Sequence, residues 1–190
     1  MDNHQRYGKI RQSDIPANEQ GELQCYALQM QNLHDQLDWA RRQLFYASHG
    51  AKYQLRYQLK RGEVYEFDYG INVHAELSNR HYGVVLVDSY ETNDIVVVCP
   101  LKTKRKGPNS VSDVSIGRIP VIHTEVDSIA IINQIKGLDK MRMYIEPIIN
   151  SSGKRVGNGP VAILTSEQMS LISRAIEQLF VQGKLYIDVN

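Results

Sequence analysis

The apolar residues change their period at about residue 61, and this change separates a helical part of the chain from a β-rich part. Between Gly21 and Lys60 they recur every seven residues in two rows that lie three positions apart. These rows are Leu23, Met30, Leu37, Leu44 and Ala51, and Tyr26, Leu33, Ala40 and Ala47. Such a seam is typical of a long helix that packs along one face. It predicts a helical arm over residues 21–60, kinked or broken near Gly50, that packs on its own domain, pairs as a coiled coil or binds a partner.

From Arg61 onward the period is two, as expected for strands with one buried face. Tyr65, Phe67 and Tyr69 alternate with other residues, and short β-branched segments follow at close spacing. The further strand candidates are Val84–Val87, Ile95–Cys99, Val111–Ile116, Ile119–Ile122, Ser128–Ile135 and Met143–Ile149. Many short strands at this spacing favour a small β-barrel or sandwich. The fold class is therefore mainly β with α.

The two ends of the chain complete the domain prediction. Residues 1–20 are polar, contain Pro16 and are expected to be a flexible N-terminus. Near the other end, Thr165 followed by Gln168 matches a capping box, and apolar residues then recur at helical spacing through Leu179. We expect a C-terminal helix on a barrel domain of residues 61–190, with KLYIDVN as a possible final strand.

Composition restricts where the protein acts and what it binds. The chain has 190 residues and a net charge of +1, so any nucleic-acid role must depend on a local basic patch. The densest basic cluster is Lys102, Lys104, Arg105 and Lys106. The longest uncharged apolar run, Ile95–Leu101, is far shorter than the ~20 residues of a membrane helix. The first residues resemble no secretory signal, and two cysteines fit reduced thiols, so a cytoplasmic location away from membranes is predicted.

Four candidate site residues flank two neighbouring strand candidates. Arg80 and His81 precede Val84–Val87, whereas Lys102 and Thr103 follow Ile95–Cys99. If these strands form a hairpin, all four side chains approach one end of the barrel. A cation, an imidazole and a hydroxyl suit cleavage of a phosphodiester, and RNA supplies its own nucleophile in the 2′-hydroxyl. The six scattered histidines show no metal-ligand spacing, and no glycine-rich phosphate loop is present, so neither metal nor cofactor is expected.

Four segments in this order resemble the MazF/PemK family of bacterial toxins. They are GEVYEFDYG, HAELSNRHYGVVLV, IVVVCPLKTK and NQIKGLDKMRM, which together span about residues 61–145. The resemblance implies an SH3-like small β-barrel, of MazF/CcdB type, with added helices. It also implies metal-independent endoribonuclease cleavage of single-stranded RNA at short sequences. The family works as a homodimer and is neutralised by a cognate antitoxin that covers the RNA groove.

The resemblance also implies roles for individual residues. Counting from Glu76 places His81 at the position of the family's catalytic arginine, although Arg80 is the adjacent alternative. The family's threonine falls at Lys102 in one register and one residue before Thr103. A slip of one residue in a strand reverses the face of the side chain, so both assignments stay open. The predicted catalytic residues are Arg80, His81 and Thr103, and the predicted substrate-binding residues are Glu76, Lys102, Lys104, Arg105, Gln134 and Lys136.

Two other functions are compatible with these patterns. One is a non-catalytic module on the same barrel, either one that binds RNA without cleaving it or one similar to CcdB-type toxins, which bind DNA gyrase. The other is an interaction protein in which the helix over residues 22–60 carries the function and the barrel is a scaffold. Substitutions in the strand ends separate the enzyme from the first alternative, and deletion of the helix tests the second.

Overall fold

A computed structural model of the chain describes residues 20–49, 57–104, 112–149, 152–153 and 155–184. The chain divides into two compact units, Met1–Phe45 and Tyr46–Asn190. The long helix α1 (Gln20–His49) makes up the described part of the first unit and ends in the second. Over all of these described ranges, no helix has the length and apolar character needed to cross a membrane.

The second unit consists mainly of antiparallel strands. They are β1 (Glu63–Asp68), β2 (Arg80–Val85), β3 (Ile95–Thr103), β4 (Asp113–Ser115), β5 (Ser128–Ile131), β6 (Lys136–Asp139), β7 (Met143–Tyr144), β8 (Glu146–Ile149), β9 (Arg155–Gly159) and β10 (Ala162–Ile163). Short 3-10 helices, Ile132–Gln134 and Lys140–Arg142, precede and follow β6. Helix α2 (Ser166–Ile176) follows the last strand, and the π-helical turn Glu177–Val181 extends it. The prediction of a mainly β fold with α-helices is confirmed.

The strand pairings close into a ring. β1 pairs with β2, β2 with β3 and β3 with β6, while β7 pairs back onto β1. Only the 3-10 helix Lys140–Arg142 separates β6 from β7, so these two strands together complete the circuit. A closed ring leaves few strand edges exposed, which is the advantage of a small barrel.

Beyond the ring, the strands β4, β5 and β10 extend the sheet. The last residues of β3, Leu101–Thr103, leave β6 and pair with β5, which in turn pairs with β4. β10 adds to the free part of β1, and β8 and β9 form a separate two-stranded sheet. β3 is therefore shared between the barrel and the extension.

Strand alternation gives the sheet two apolar cores. The inner core fills the ring and consists of Leu59, Tyr65, Phe67, Tyr69, Val85, Val96, Val98, Leu138 and Met143. The outer core lies on the opposite face, where α2 packs; it consists of Val64, Val84, Leu86, Cys99, Leu101, Val114, Ile116, Ile119, Ala130, Ile132, Leu164, Met169, Ile172 and Ala175. Because side chains of a strand alternate between faces, neighbouring residues in β1 and β2 enter different cores.

The C-terminal helix forms as the capping box predicts. The Gln168 backbone N–H donates to Thr165 Oγ1 at 3.3 Å, and the Thr165 N–H donates to Gln168 Oε1 at 3.0 Å. Met169 and Ile172 then point into the outer core, as their spacing predicts. The helix is thus capped at its start and buried along one face.

Several predicted boundaries are wrong. The helix of the arm ends at His49 and does not reach residue 60, since Leu59 is buried and exchanges backbone hydrogen bonds with Ser89. Ile119–Ile122 is a turn, in which the Ile122 N–H donates to the Ile119 carbonyl at 2.8 Å. The strand predicted over Ser128–Ile135 ends at Ile131, where a 3-10 helix begins. The predicted break at Gly50, the flexible segment before Gln20 and the final strand beyond Lys184 lie outside the described residues.

Candidate functional site at the mouth of the barrel

The strand register places Arg80 and His81 on different faces of the sheet. The ladder of β2 and β3 joins Gly83 with Pro100, Val84 with Cys99 and Val85 with Val98. On β1, His81 is opposite Phe67 and Arg80 is opposite Asp68. Opposite residues in an antiparallel pair share a face, so the two pairs lie on different faces of the sheet. Arg80 and His81 are therefore not interchangeable.

His81 lies on the inner face, at the end of the inner core. Its register partner on β1 is Phe67, and its ring meets the Tyr69 ring edge-on, with 6.3 Å between ring centres. The ammonium nitrogen of Lys136 lies 5.1 Å from the centre of the same Tyr69 ring. Lys136 reaches this position because it pairs with Val98, an inner-core residue of β3. An imidazole and a cation thus contact the same aromatic ring. The end of the barrel formed by Tyr69, His81 and Lys136 is called the mouth.

The electrostatic environment of this mouth favours an anion. Burial lowers the pKa of Lys136, and the nearby Arg142 lowers it further, whereas Glu76 acts in the opposite direction. The pKa of Lys136 is lowered chiefly because burial removes water from its ammonium group. Burial raises the pKa of Tyr69, so its hydroxyl stays protonated at neutral pH. A phosphate group placed here would compensate the partly buried positive charge of Lys136.

A tightly bonded loop, residues 70–79, covers the side of the mouth and carries Glu76. Gln134 holds this loop with both ends of its amide: Oε1 accepts from the Leu77 N–H at 2.6 Å, and Nε2 donates to the Ala75 carbonyl at 3.1 Å. Asn72 donates to the carbonyls of Tyr69 and Leu77 from inside the loop. Gln134, which was predicted to bind substrate, therefore holds the loop in position.

Lys102 belongs to the part of β3 that pairs with β5 and not to the part that pairs with β2. Its ammonium group pairs with Asp113 at 2.5 Å, across β5 and away from β2. The Asp113 side chain is only 2 % exposed, so the pair is a buried acid held by a half-exposed cation. Lys104 lies further along, with its amine 4.0 Å from Asp127, and is exposed. Arg105, also predicted to bind substrate, lies outside the described residues.

Arg80 and Thr103 lie at the same strand ends but belong to the other face. The guanidinium carbon of Arg80 stands 3.7 Å from the centre of the Tyr144 ring. This distance is typical of a cation stacked on an aromatic face, which leaves the edge of the guanidinium open to a ligand. Thr103 ends β3 opposite Ser128 and is half-buried.

Two residues of the mouth, Tyr69 and Arg142, are missing from the predicted site. In the sequence, Tyr69 only continues the alternation of β1. Alternation does not indicate which end of the barrel a residue occupies. Arg142 belongs to the segment NQIKGLDKMRM, which was recognisable in the sequence. Among the residues that the structure describes, no group of three or more His, Cys, Asp or Glu side chains could hold a metal ion.

Comparison with known families decides the class of the protein. A model of the PemK-like, MazF-like toxins of type II toxin–antitoxin systems matches residues 60–180, which include the whole ring, the extension and α2. The chain belongs to this family. The recognition made from four sequence segments is therefore confirmed, and the strand ends described above lie inside the PemK-like region. The helix α1 lies outside it.

Solved structures similar to this PemK-like protein come from the same group of toxins. MazF (Form-I) from Deinococcus radiodurans has 14 % identity and a TM-score of 0.46, and the match covers 66 % of this chain and 98 % of that one. An endoribonuclease in complex with its cognate antitoxin, from Mycobacterial species, has 17 % identity and a TM-score of 0.42, covering 65 % and 95 %. No curated protein sequence matches the chain.

Proposed function

We propose that this PemK-like protein is a toxin that cleaves single-stranded RNA at short sequences in the cytoplasm without a metal ion. Family membership supports the toxin class, and the chemistry at the mouth of the barrel supports the reaction. The observation that supports the proposal is the meeting of His81 and Lys136 on the Tyr69 ring, with Arg142 nearby.

The proposed reaction is an internal transfer of the phosphate. The ribose 2′-hydroxyl attacks the adjacent phosphorus, forming the P–O2′ bond, while the P–O5′ bond breaks. One proton leaves O2′ and one is delivered to O5′, so the products are a 2′,3′-cyclic phosphate and a 5′-hydroxyl. His81 is the group suited to move protons near neutral pH, since an imidazole titrates there.

The surrounding cations fit the charge that develops on the phosphate. Lys136 would face the non-bridging oxygens from the inner face, and Arg80 and Thr103 would do so from the other face of the strand ends. Preorganised donors of this kind typically contribute most of the stabilisation of such a transition state. The exposed Lys104 and the neighbouring Arg105 would meet more distant phosphates, and Glu76 would contact a base from the loop.

The partners follow from the same proposal. We place the protein in a homodimer with single-stranded mRNA as substrate, inhibited by a cognate antitoxin that covers the mouth. An acidic antitoxin segment would complement the charge around Lys136 and Arg142.

Incubation of the purified protein with RNA in the presence of EDTA tests the proposal. We expect cleavage that survives chelation, leaves cyclic phosphate ends and falls by about 10²–10⁴-fold in His81→Ala, the usual contribution of a general acid–base group. Arg80→Ala is expected to reduce cleavage as well. His123→Ala and Arg118→Ala are the matched controls, because both residues are exposed and neither is assigned to the site.

RNA that stays intact under all conditions would contradict the proposal. If the protein then still arrested growth, and Arg80, His81 and Thr103 could all be replaced without effect, the function would be non-catalytic binding, to RNA or to a target such as DNA gyrase.

A further inference from the structure

The helix α1 carries an apolar seam whose described side chains are exposed. The five largest described residues of the seam are each between 50 % and 70 % exposed: Tyr26, Met30, Leu33, Leu37 and Leu44. The small residues Ala40 and Ala47, which continue the seam, are also exposed. Contiguous apolar surface of this kind marks an interaction site in soluble proteins.

An exposed apolar seam on a helix as long as α1 is difficult to explain if the protein is a monomer. The helix has 30 residues, a length of roughly 45 Å. Most of the stability of helices in proteins comes from packing of an apolar face, since propensity alone supports isolated helices poorly. From Leu23 to Ala47 the seam covers more than three heptads, which is enough for a stable pair of helices. The apolar face of α1 is therefore suited to packing against another helix.

We propose that α1 pairs with α1 of a second copy of this chain in an antiparallel coiled coil. The side-chain volumes along the seam favour this orientation. An antiparallel pair centred on residue 35 places Leu37 opposite Leu33, Met30 opposite Ala40 and Leu44 opposite Tyr26. The layer of Met30 and Ala40, which occurs twice in the pair, combines a large with a small side chain, as packed cores do.

A parallel pair packs less well. In that orientation each seam residue meets its own copy, so Ala40 faces Ala40 and Ala47 faces Ala47, and one half of the seam has gaps. Gaps in a core remove contacts and lower stability. The large residues would collect in the other half, at Tyr26, Met30 and Leu33.

The residues beside the seam permit the antiparallel pair. On one side, Gln29, Gln36 and Gln43 would lie against the same glutamines of the partner, where amides bond each other without net charge. On the other side, Arg41 would lie near Ala27 of the partner. The carboxylate of Asp38 binds both His34, at 3.3 Å, and Arg41, at 3.5 Å, within the same helix. The basic groups beside the seam are thus partly compensated before the helices meet.

This interface is separate from the PemK-like region. The family match begins at residue 60, so the pairing of α1 would add a contact between copies that the family's own barrel does not provide. It does not depend on the proposed ribonuclease activity. A protein without RNA cleavage would still show it.

Disulfide cross-linking of the full chain tests both the pairing and its direction. In a Cys25→Ser background, the double variant Met30→Cys/Ala40→Cys should form a covalent dimer under mild oxidation. Each single variant should not, because the two copies of residue 30, or of residue 40, lie ten residues or about 15 Å apart along the antiparallel pair. The same spacing prevents a bridge between residues 30 and 40 of one chain.

The outcomes are distinct. Cross-linking of the single variants would show a parallel pair and overturn the proposal, as would the absence of any cross-link. In a second measurement, Leu37→Glu added to the double variant should abolish its cross-link. Leu28→Glu is the matched control, because Leu28 is 66 % exposed but lies outside the seam. An equal loss of the cross-link in the control would contradict a role for the seam.

Discussion

Two lysines near the strand ends, Lys136 in the ring and Lys102 in the extension of the sheet, have opposite environments. Lys136 rests on the Tyr69 ring next to Arg142, and its pKa is lowered. Lys102 is paired with the buried Asp113. The ammonium group of Lys136 is partly buried on an aromatic ring, whereas that of Lys102 is paired with a carboxylate. Two residues with the same predicted role thus have different electrostatic surroundings.

Replacement of each lysine by methionine tests this contrast most strongly. Lys102→Met leaves Asp113 buried without its cation, and we expect a loss of about 3 kcal/mol in the free energy of unfolding, near the lower end for a broken buried pair. Urea denaturation measures it. Lys104→Met is the control and should change little, since its partner is distant and exposed. Adding Asp113→Asn to Lys102→Met should restore part of the loss.

Unlike Lys102→Met, the substitution Lys136→Met is not expected to reduce the free energy of unfolding at neutral pH. A lysine with a lowered pKa binds its proton less tightly in the folded state than in the unfolded state, so the charged form reduces stability. The free energy of unfolding should therefore rise with pH between the lowered pKa and 10.5 in the wild type, and this rise should shrink in the variant. At neutral pH the variant should be at least as stable as the wild type while it loses RNA binding. A clear loss of stability would contradict the assignment.

Close packing inside the ring predicts the next largest effect. A Cβ atom added at Gly83 would lie 2.6 Å from Tyr69 Oη and 3.2 Å from the Phe67 ring. Gly83→Ala should cost about 2 kcal/mol, as overpacking of a rigid core does. Tyr69 Oη has no hydrogen-bond partner among the described residues, so Tyr69→Phe alone should cost little and should partly rescue Gly83→Ala.

Gly137 allows a comparison between packing inside the ring and packing on its outside. At Gly137 the added Cβ would come within 3.1 Å of the Ile95 Cγ2 atom, which belongs to an exposed side chain. Gly137→Ala should therefore cost less than Gly83→Ala in thermal denaturation. Equal costs, or no rescue by Tyr69→Phe, would show that the ring is less rigid than its packing indicates.

The smallest change in stability is expected for substitutions that release the loop of residues 70–79. Gln134→Leu removes two hydrogen bonds to the backbone of Ala75 and Leu77, which should cost about 1–2 kcal/mol. Hydrogen exchange of the Leu77 amide should accelerate, because its acceptor is lost. Gln134→Glu keeps the acceptor for Leu77 and should slow that exchange relative to Gln134→Leu. Unchanged exchange in both variants would mean that the loop is held by Asn72 alone.

Local patterns predicted much of the fold. The alternation around Tyr65 and Phe67 identified β1, and the capping box at Thr165 identified α2, because these signals lie within a few residues. The short strands β6, β9 and β10 were missed, since strands of two to five residues carry little periodic signal. Ile119–Ile122 was wrongly predicted as a strand, although its apolar residues support a turn that buries Ile119.

The candidate site was predictable as a set of residues but not as an arrangement. The sequence indicated that β2 and β3 are neighbours, and the ladder between Gly83–Val85 and Val98–Pro100 shows this pairing. It left open whether Arg80 or His81 faces the inner core, since that choice depends on a pairing register set by the whole ring. It also predicted the same role for Lys102 and Lys136.

By itself, the sequence determined the period of each segment: the seven-residue seam of α1, the alternation of the strands and the cap of α2. These follow from the chemistry of neighbouring residues. Only the tertiary structure decided that His81 shares the Tyr69 ring with Lys136, and that Lys102 turns away to Asp113. The physical reason is that β3 leaves the ring after Pro100 to join β5, and such a branch depends on partners about 30 residues away in the chain.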